Sequence, residues 1–373
     1  MAKGLAQALV ISSREAFRGA TPMDKITPYG YMQMLLENKP PTVKSYVDDG
    51  SGYLRDVKVR YMQRGTPGKS VTTDDCSIQV RTAYLDYDVP ATQFRALGIA
   101  FEDDQIAKFE KDALGIMNVG GPATPIMREV WDAIISQANG LFADINNDLL
   151  AIQAAAFGTN VRAGSNAAQT INFVLNGTTN PLTQGMTQVM ADAQINESKL
   201  QGAKIVGSGL VHNYSLQQVA KSYDQSGVNT RLLGFPEFFY DPYAATAWGA
   251  NQFALFEKDA VQLVNIARFR GSKSGLKGGD YFFTLKLPVE DSIGQGTYRD
   301  FEFDVQLTYR TCPGEVQIGA FDETTNPPIQ LGRGWNIILM SSYTQLNIPA
   351  NSYATGDRLF GNNGTYRYTA TNS

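Results

Sequence analysis

Between Thr124 and Gly158 the apolar residues Ile126, Val130, Ile134, Leu141, Ile145, Leu149 and Ile152 return at spacings of three, four and seven. That period lays one apolar stripe along an α-helix. Thr124 suits the capping position, Pro125 the first helical position, and Gly158 the residue past the last turn. The pattern predicts a helix over 125–157, about 33 residues and roughly 50 Å long at 1.5 Å per residue. Gly140 inside it predicts a bend, at a cost of about 1 kcal/mol relative to Ala. A helix of this length is a scaffold on which other layers pack.

The 373 residues suggest two or three packed units. Hydrophobic content of 43% and charged content of 18% describe a folded chain. Charges nearly cancel, 32 Lys+Arg against 36 Asp+Glu for a net of -4, so the totals do not indicate a surface built to neutralise phosphates or anionic lipid. One His and two Cys are too few for a zinc site of the usual kind. Cys76 and Cys312 stand far apart with no close-spaced partner, which speaks against a disulfide framework. The apolar stretch Leu5–Ile11 is short for a signal-peptide core, and no run approaches the ~20 residues of a membrane span. A soluble protein made in the cytoplasm is expected.

Along the chain, residues 1–50 carry two short helical patterns, around Leu9–Phe17 and Tyr29–Leu36, interrupted by Pro22, Pro28, Pro40 and Pro41. The charges here alternate in sign, and the expectation is an extended arm that needs a neighbour to cover it. Residues 53–89 read as a long hairpin: Val57, Val59 and Tyr61 share one face, Gly65–Gly68 turn, and Ile78, Val80, Thr82 and Tyr84 return. Its charge is segregated, with Lys58, Arg60 and Arg64 on the first strand and Asp74, Asp75, Asp86 and Asp88 flanking the second. Lying across a neighbouring subunit would give that segregation a use, since an isolated hairpin is barely stable in water. From 166 to 285 the pattern is mixed: strands near Thr170–Leu175, Ala203–Val206, Phe235–Tyr240, Gln252–Phe256 and Val261–Phe269, and helices near Leu182–Ala193 and Ser215–Tyr223. Tyr281–Leu287 and Phe301–Arg310 form an alternating pair, and the last sixty residues are Asn/Thr/Gly/Pro-rich with short strands such as Asn336–Met340.

Catalytic chemistry finds no anchor in the sequence. His212 is the sole His, and neighbouring Ser208 lacks the Gly-x-Ser-x-Gly elbow, because Val206 and Leu210 stand where glycines are needed. The run Gly271–Gly279 has the composition of a phosphate cradle but not the P-loop spacing, so a mobile surface loop is expected. Glu102/Asp103/Asp104, Glu257/Asp259 and Glu290/Asp291 are carboxylate groups without flanking motifs of a glycosidase. No enzymatic activity and no cofactor are predicted.

The order of arm, charge-segregated hairpin, long helix, α/β region and return strands resembles the major capsid protein of tailed bacteriophages, the Hong Kong 97-type fold. The stretch from Phe239-Tyr240-Asp241-Pro242 through Asn251–Val264 is similar to that family's late axial-domain segment, where a strand ends in an Asp-Pro loop and re-enters as apolar strands. The resemblance implies an α+β chain with an N-terminal arm over 1–52, an E-loop hairpin over 53–90, and a peripheral domain over 91–165 and 281–312 with its spine helix at 125–157. It further implies an axial domain over 166–280, leaving 313–373 as a C-terminal strand-rich extension. The implied function is a self-assembling icosahedral head shell of hexamers and pentamers in the virion, assembled in the host cytoplasm around double-stranded DNA held without sequence-specific binding. Separate scaffolding, portal and decoration proteins would accompany it, and no membrane. Lys58, Arg60, Arg64, Lys69, Asp74 and Asp75 are the expected inter-subunit contacts. The alternatives are an encapsulin-like cargo shell of the same fold and, from another class, a secreted carbohydrate-active protein that would stay monomeric.

Overall fold

The computed structural model describes residues 2–18, 26–48, 54–62, 84–90, 92–119, 124–160, 164–173, 185–195, 200–214, 236–290, 297–310, 314–316, 329–331, 334–347 and 363–371. Its elements run α1 (Ala2–Arg18), α2 (Gly30–Glu37), β1 (Thr42–Asp48), β2 (Leu54–Met62), β3 (Tyr84–Pro90), β4 (Gln93–Glu102), α3 (Asp103–Val119), α4 (Pro125–Ala155), β5 (Gln169–Asn172), α5 (Met186–Ile195), β6 (Lys204–Gly207) and β7 (Glu237–Tyr240). A short helix, Ala244–Trp248, leads into β8 (Gln252–Phe256), β9 (Val261–Ile266), β10 (Gly275–Lys277), β11 (Asp280–Glu290), β12 (Thr297–Arg310), β13 (Gly314–Val316), β14 (Ile329–Leu331), β15 (Gly334–Asn347) and β16 (Thr365–Thr371). The chain is of the α+β class.

The long helix forms as its apolar period requires. The Thr124 hydroxyl accepts from the Met127 N–H and itself donates to Asp112 at 2.7 Å, which fixes the first turn. The helix ends at Ala155, two residues short of expectation, and runs through Gly140 without a break. Gly140 lies over β4, where a Cβ would come within 3.3 Å of Leu97 Cδ1. Close approach of helix and sheet, not a bend, is what the small residue serves.

One face of α4 packs on an antiparallel sheet of order β10-β11-β12-β15-β4, with β9 paired to the C-terminal half of β15. β11 and β12 pair as expected: Leu287 faces Phe301, Leu285 faces Phe303 and Phe283 faces Val305. These residues form one buried face, and Phe142 of α4 sits edge-on to Phe301 and Phe303 at centroid distances of 4.9 and 5.7 Å. A second sheet, β5-β16-β8-β6-β7, is mixed, with parallel pairs at its two outer ladders. It is buried on both faces. Phe253, Leu255 and Ile205 face α5, while Ala254, Phe256 and Val206 face the core shared with α2 and α4. That is why β8 reads as a continuous apolar run.

Three expectations are corrected. The described residues of the first segment, 2–18 and 26–37, are not an uncovered arm. Leu5, Ala6, Ala8 and Leu9 of α1 are buried against α3, α4 and the first sheet, and Trp131 Nε1 donates to Ser12 Oγ at 2.9 Å. Every residue from Gly30 to Leu36 is buried, so α2 lies within the core. The chain covers its own first two helices because their apolar residues are helically spaced, despite the flanking prolines. The long described strands of the last sixty residues do not form an appended lobe either. β15 is an inner strand of the first sheet and β16 an inner strand of the second. Finally, β9 and β10, placed by sequence with the α/β region, belong to the sheet of β11 and β12.

Gly30 and Gly140 supply a paired test. A Cβ at Gly30 would lie 2.1 Å from the Tyr240 carbonyl oxygen, a backbone atom that cannot step aside, whereas at Gly140 it would meet only a side-chain methyl. Gly30→Ala is expected to cost at least about 2 kcal/mol in urea unfolding. Gly140→Ala is expected to be neutral or to add up to about 1 kcal/mol. Equal effects of the two substitutions would contradict this packing.

Candidate assembly surfaces

The body that would present a surface to other molecules is fastened by one buried carboxylate. Asp241 follows β7, is fully buried, and accepts from the Tyr31 N–H at 2.8 Å, Asn146 Nδ2 at 2.9 Å and the Tyr243 N–H at 2.9 Å. Asn146 in turn accepts from the Met32 N–H at 3.0 Å. α2, α4 and the second sheet therefore meet at a single group. Burial raises the Asp241 carboxyl above the usual carboxylate range, against the pull of the Tyr31, Tyr243 and Ala244 backbone N–H groups and the Asn146 side chain. Tyr31 extends the network, its hydroxyl donating to Gln345 of β15 at 2.8 Å.

Of the expected contact residues, Lys58 and Arg60 fall on β2 of a three-stranded antiparallel sheet, β1-β2-β3. The hairpin was expected to return over 78–84, whereas the described return strand is Tyr84–Pro90, with β1 added on the other side of β2. Its register places Lys58 opposite Asp88 and Arg60 opposite Asp86. The two strands thus set residues of opposite charge across from one another in the ladder. Arg64, Lys69, Asp74 and Asp75 lie outside the described residues, as do Cys76, Cys312 and the helix expected over Ser215–Tyr223. The sheet meets the body through Val57, Val59 and Val89, which pack on Val264 and Ile266 of β9. Val43 on β1 is 39% exposed.

Other candidate chemistry resolves into structure. His212 stacks on Phe238 at 4.9 Å and lies near Tyr240 at 6.1 Å, and burial lowers its pKa. The Ser208 hydroxyl donates to the Ala250 carbonyl at 2.8 Å. Gly271–Gly279 is a 3-10 turn followed by the β10–β11 hairpin rather than an open loop. Among the described residues no group of three or more His, Cys, Asp or Glu side chains is placed to hold a metal, and no helix is long and apolar enough to cross a membrane. A groove of about 560 Å³ runs between α1 and the β10–β11 edge, lined by Val10, Ile11, Leu114, Phe269 and Phe283, with Lys286 and Glu302 also on its wall.

Two carboxylates hold the first sheet from opposite sides. On the α4 side, Asp148 takes both Nε and Nη2 of Arg95 at 2.8 Å and the hydroxyl of buried Tyr343. Burial alone would raise Asp148, but these donors outweigh it and its pKa falls. On the far side Asp304, 2% exposed, accepts from the Arg268 N–H at 2.8 Å, the Phe269 N–H at 3.2 Å and the Thr284 hydroxyl at 3.0 Å. Burial pushes Asp304 up to about 6 against those donors. A carboxyl whose folded pKa exceeds its unfolded one favours the folded state most when protonated. Its contribution is fully present below about 4 and is lost as pH rises through about 6. The unfolding free energy of wild type minus that of Asp304→Asn is therefore expected to fall by up to about 3 kcal/mol between pH 4 and pH 7. A difference that stays flat, or rises, in denaturant titrations would refute the assignment.

No protein-family model and no curated protein matches the chain. Among solved structures it is similar to the Cyanophage A-1(L) capsid asymmetric unit, at 16% identity over 95% of both chains with a TM-score of 0.47. It is also similar to a chain from Mycobacterium phage Adephagia, at 10% identity over 94% of this chain and 92% of that one, TM-score 0.41. A virus-like particle from Pyrococcus furiosus shares 8% identity over 98% of both chains, TM-score 0.33.

Proposed function

We propose that this chain is a major capsid protein, a structural subunit that self-assembles into the closed icosahedral head shell of a tailed phage and carries out no catalysis. The observation that carries this is the division of the chain into a well-fastened body and the β1-β2-β3 sheet. The body has two sheets sharing a core around α4 and α2, with the chain's own ends woven into it. The three-stranded sheet is joined to that body by a small valine contact. A two-sheet body supplies lateral contacts, and a small three-stranded sheet gains stability by lying on another copy. Among the described residues, α1 and α2 are covered by the chain itself, so the proposed reach over a neighbour belongs to the β1-β2-β3 sheet. On this basis α4 is the spine of a peripheral domain built on β4, β9–β12 and β15. The β5-β16-β8-β6-β7 sheet with α5 is the axial domain. The shell would enclose double-stranded DNA without reading its sequence, and scaffolding, portal and decoration proteins would be separate chains.

Negative-stain microscopy and sedimentation velocity of the expressed protein test this. Closed particles of megadalton mass are expected, sedimenting far ahead of a single 373-residue chain. Small shells that hold a protein cargo would point to the encapsulin-like alternative. A monomer at every concentration would sink the container proposal.

A further inference from the structure

β4 is a sheet edge built like an inner strand. It ends the strand order of the first sheet, with β15 on one side and no described strand on the other. The Glu102 N–H donates to Gln105 Oε1 at 3.2 Å, away from β15. Apart from it, no outward backbone group of β4 has a hydrogen-bond partner among the described residues. Because such groups alternate in an antiparallel ladder, Phe94, Ala96, Gly98 and Ala100 turn their N–H and C=O outward in step with Glu102. The ten-residue ladder to β15 runs without a register shift. From Phe94 to Phe101 the strand reads Phe-Arg-Ala-Leu-Gly-Ile-Ala-Phe, and its one charge, Arg95, is taken up by Asp148. A strand apolar on both faces is the pattern of one with neighbours on both sides. Other edges of the molecule are blunted by the usual devices. β10 is three residues long and carries Lys277, and β5 and β7 have four residues each. β1 is broken by two register shifts, and β3 carries Asp86 and Asp88 and ends at Pro90. β4 has none of these protections, and Phe94 on it is 51% exposed.

We infer that the β4 edge pairs antiparallel with the β4 edge of a second copy, across a two-fold axis at Gly98, joining two sheets into one. Two observations choose a second copy as the occupant. The strand is nearly palindromic about Gly98, with Ala96 mirrored by Ala100 and Leu97 by Ile99. The two-fold therefore sets Ala96 opposite Ala100 and Leu97 opposite Ile99, apolar against apolar on each face, and it pairs outward groups with outward groups. The second observation lies on α4, which follows this edge: Gly140 sits over Leu97, and Asp148 holds Arg95. Strands about 4.8 Å apart draw the helices riding on them closer than the ordinary 8–10 Å. The face of α4 that carries Gly140 also carries Ser136, Ala143 and Asn147, short side chains that are exposed or half-buried and leave room for that approach. The contact goes beyond the shell proposal and does not depend on it, although closed shells contain two-fold axes at which it would serve.

The test uses the full-length chain. Ala96→Pro removes one outward N–H and leaves the ladder to β15 intact, a change that an edge strand tolerates. Association of wild type in sedimentation velocity is expected to weaken at least about tenfold in this variant, since each copy loses a bond to the other. Should circular dichroism show Ala96→Pro misfolded, Ala96→Lys/Ala100→Lys replaces it, placing charge on the edge with the same expected loss. A cross-linking arm reads the register. Ala96→Cys and Ala100→Cys proteins, mixed and oxidised, are expected to give at least about tenfold more disulfide-linked dimer than either alone. Directly opposite residues stand about 5.5 Å apart, within disulfide reach, whereas like positions are roughly 14 Å apart. Wild type, with Cys76 and Cys312, sets the background. Equal cross-linking in the mixture and in the separate proteins, or none in any, overturns the contact. Dimers without closed particles uphold the contact and sink the shell proposal. Particles that form undiminished in the folded edge variant overturn the contact and leave the shell proposal standing, and a wild type that stays monomeric overturns both.

Discussion

The fold depends on a carboxylate held out of water. Asp241 has no exposure, and it is tolerable there because donors from α2, α4 and its own loop surround both oxygens. A charge left without them in that position would cost several kcal/mol, so the three elements cannot separate one at a time. Gly30 reinforces this from the backbone side, since nothing larger than hydrogen fits between α2 and the Tyr240 carbonyl. The first helices, the long helix and the second sheet are consequently one cooperative unit, although they come from residues more than two hundred positions apart.

That arrangement explains why the elements with strong local periodicity were legible in the sequence and the long-range ones were not. α4 announces itself through its stripe and cap, β8 through an apolar run, and β11 with β12 through alternation that the register then confirms residue by residue. β16 has only Thr, Tyr, Arg and Ala to show, and its burial comes from lying between β5 and β8. Tyr366 and Tyr368 are fully buried because Glu257 and Asp192 accept from their hydroxyls at 3.2 and 2.9 Å. No window of neighbouring residues contains that information. α3 was missed for a related reason: Ile106, Phe109 and Ala113 form its buried stripe among many charges.

Charge on the hairpin shows what register adds to a sequence pattern. Basic and acidic residues segregate between the strands, and sequence spacing reads that as surface awaiting a partner. The ladder sets Lys58 across from Asp88 and Arg60 across from Asp86. Spacing along one strand holds no information about which residue of the next strand stands opposite.

Strand order also joins the body together through one late segment. Among the described strands, β15 has β4 as its ladder partner on one side and β12 and β9 on the other. Its Tyr343 hydroxyl donates to Asp148 of α4, and its Gln345 side chain accepts from the Tyr31 hydroxyl of α2. The strand therefore links the first sheet to the same two helices whose groups surround Asp241, so that sheet and buried carboxylate share their supports.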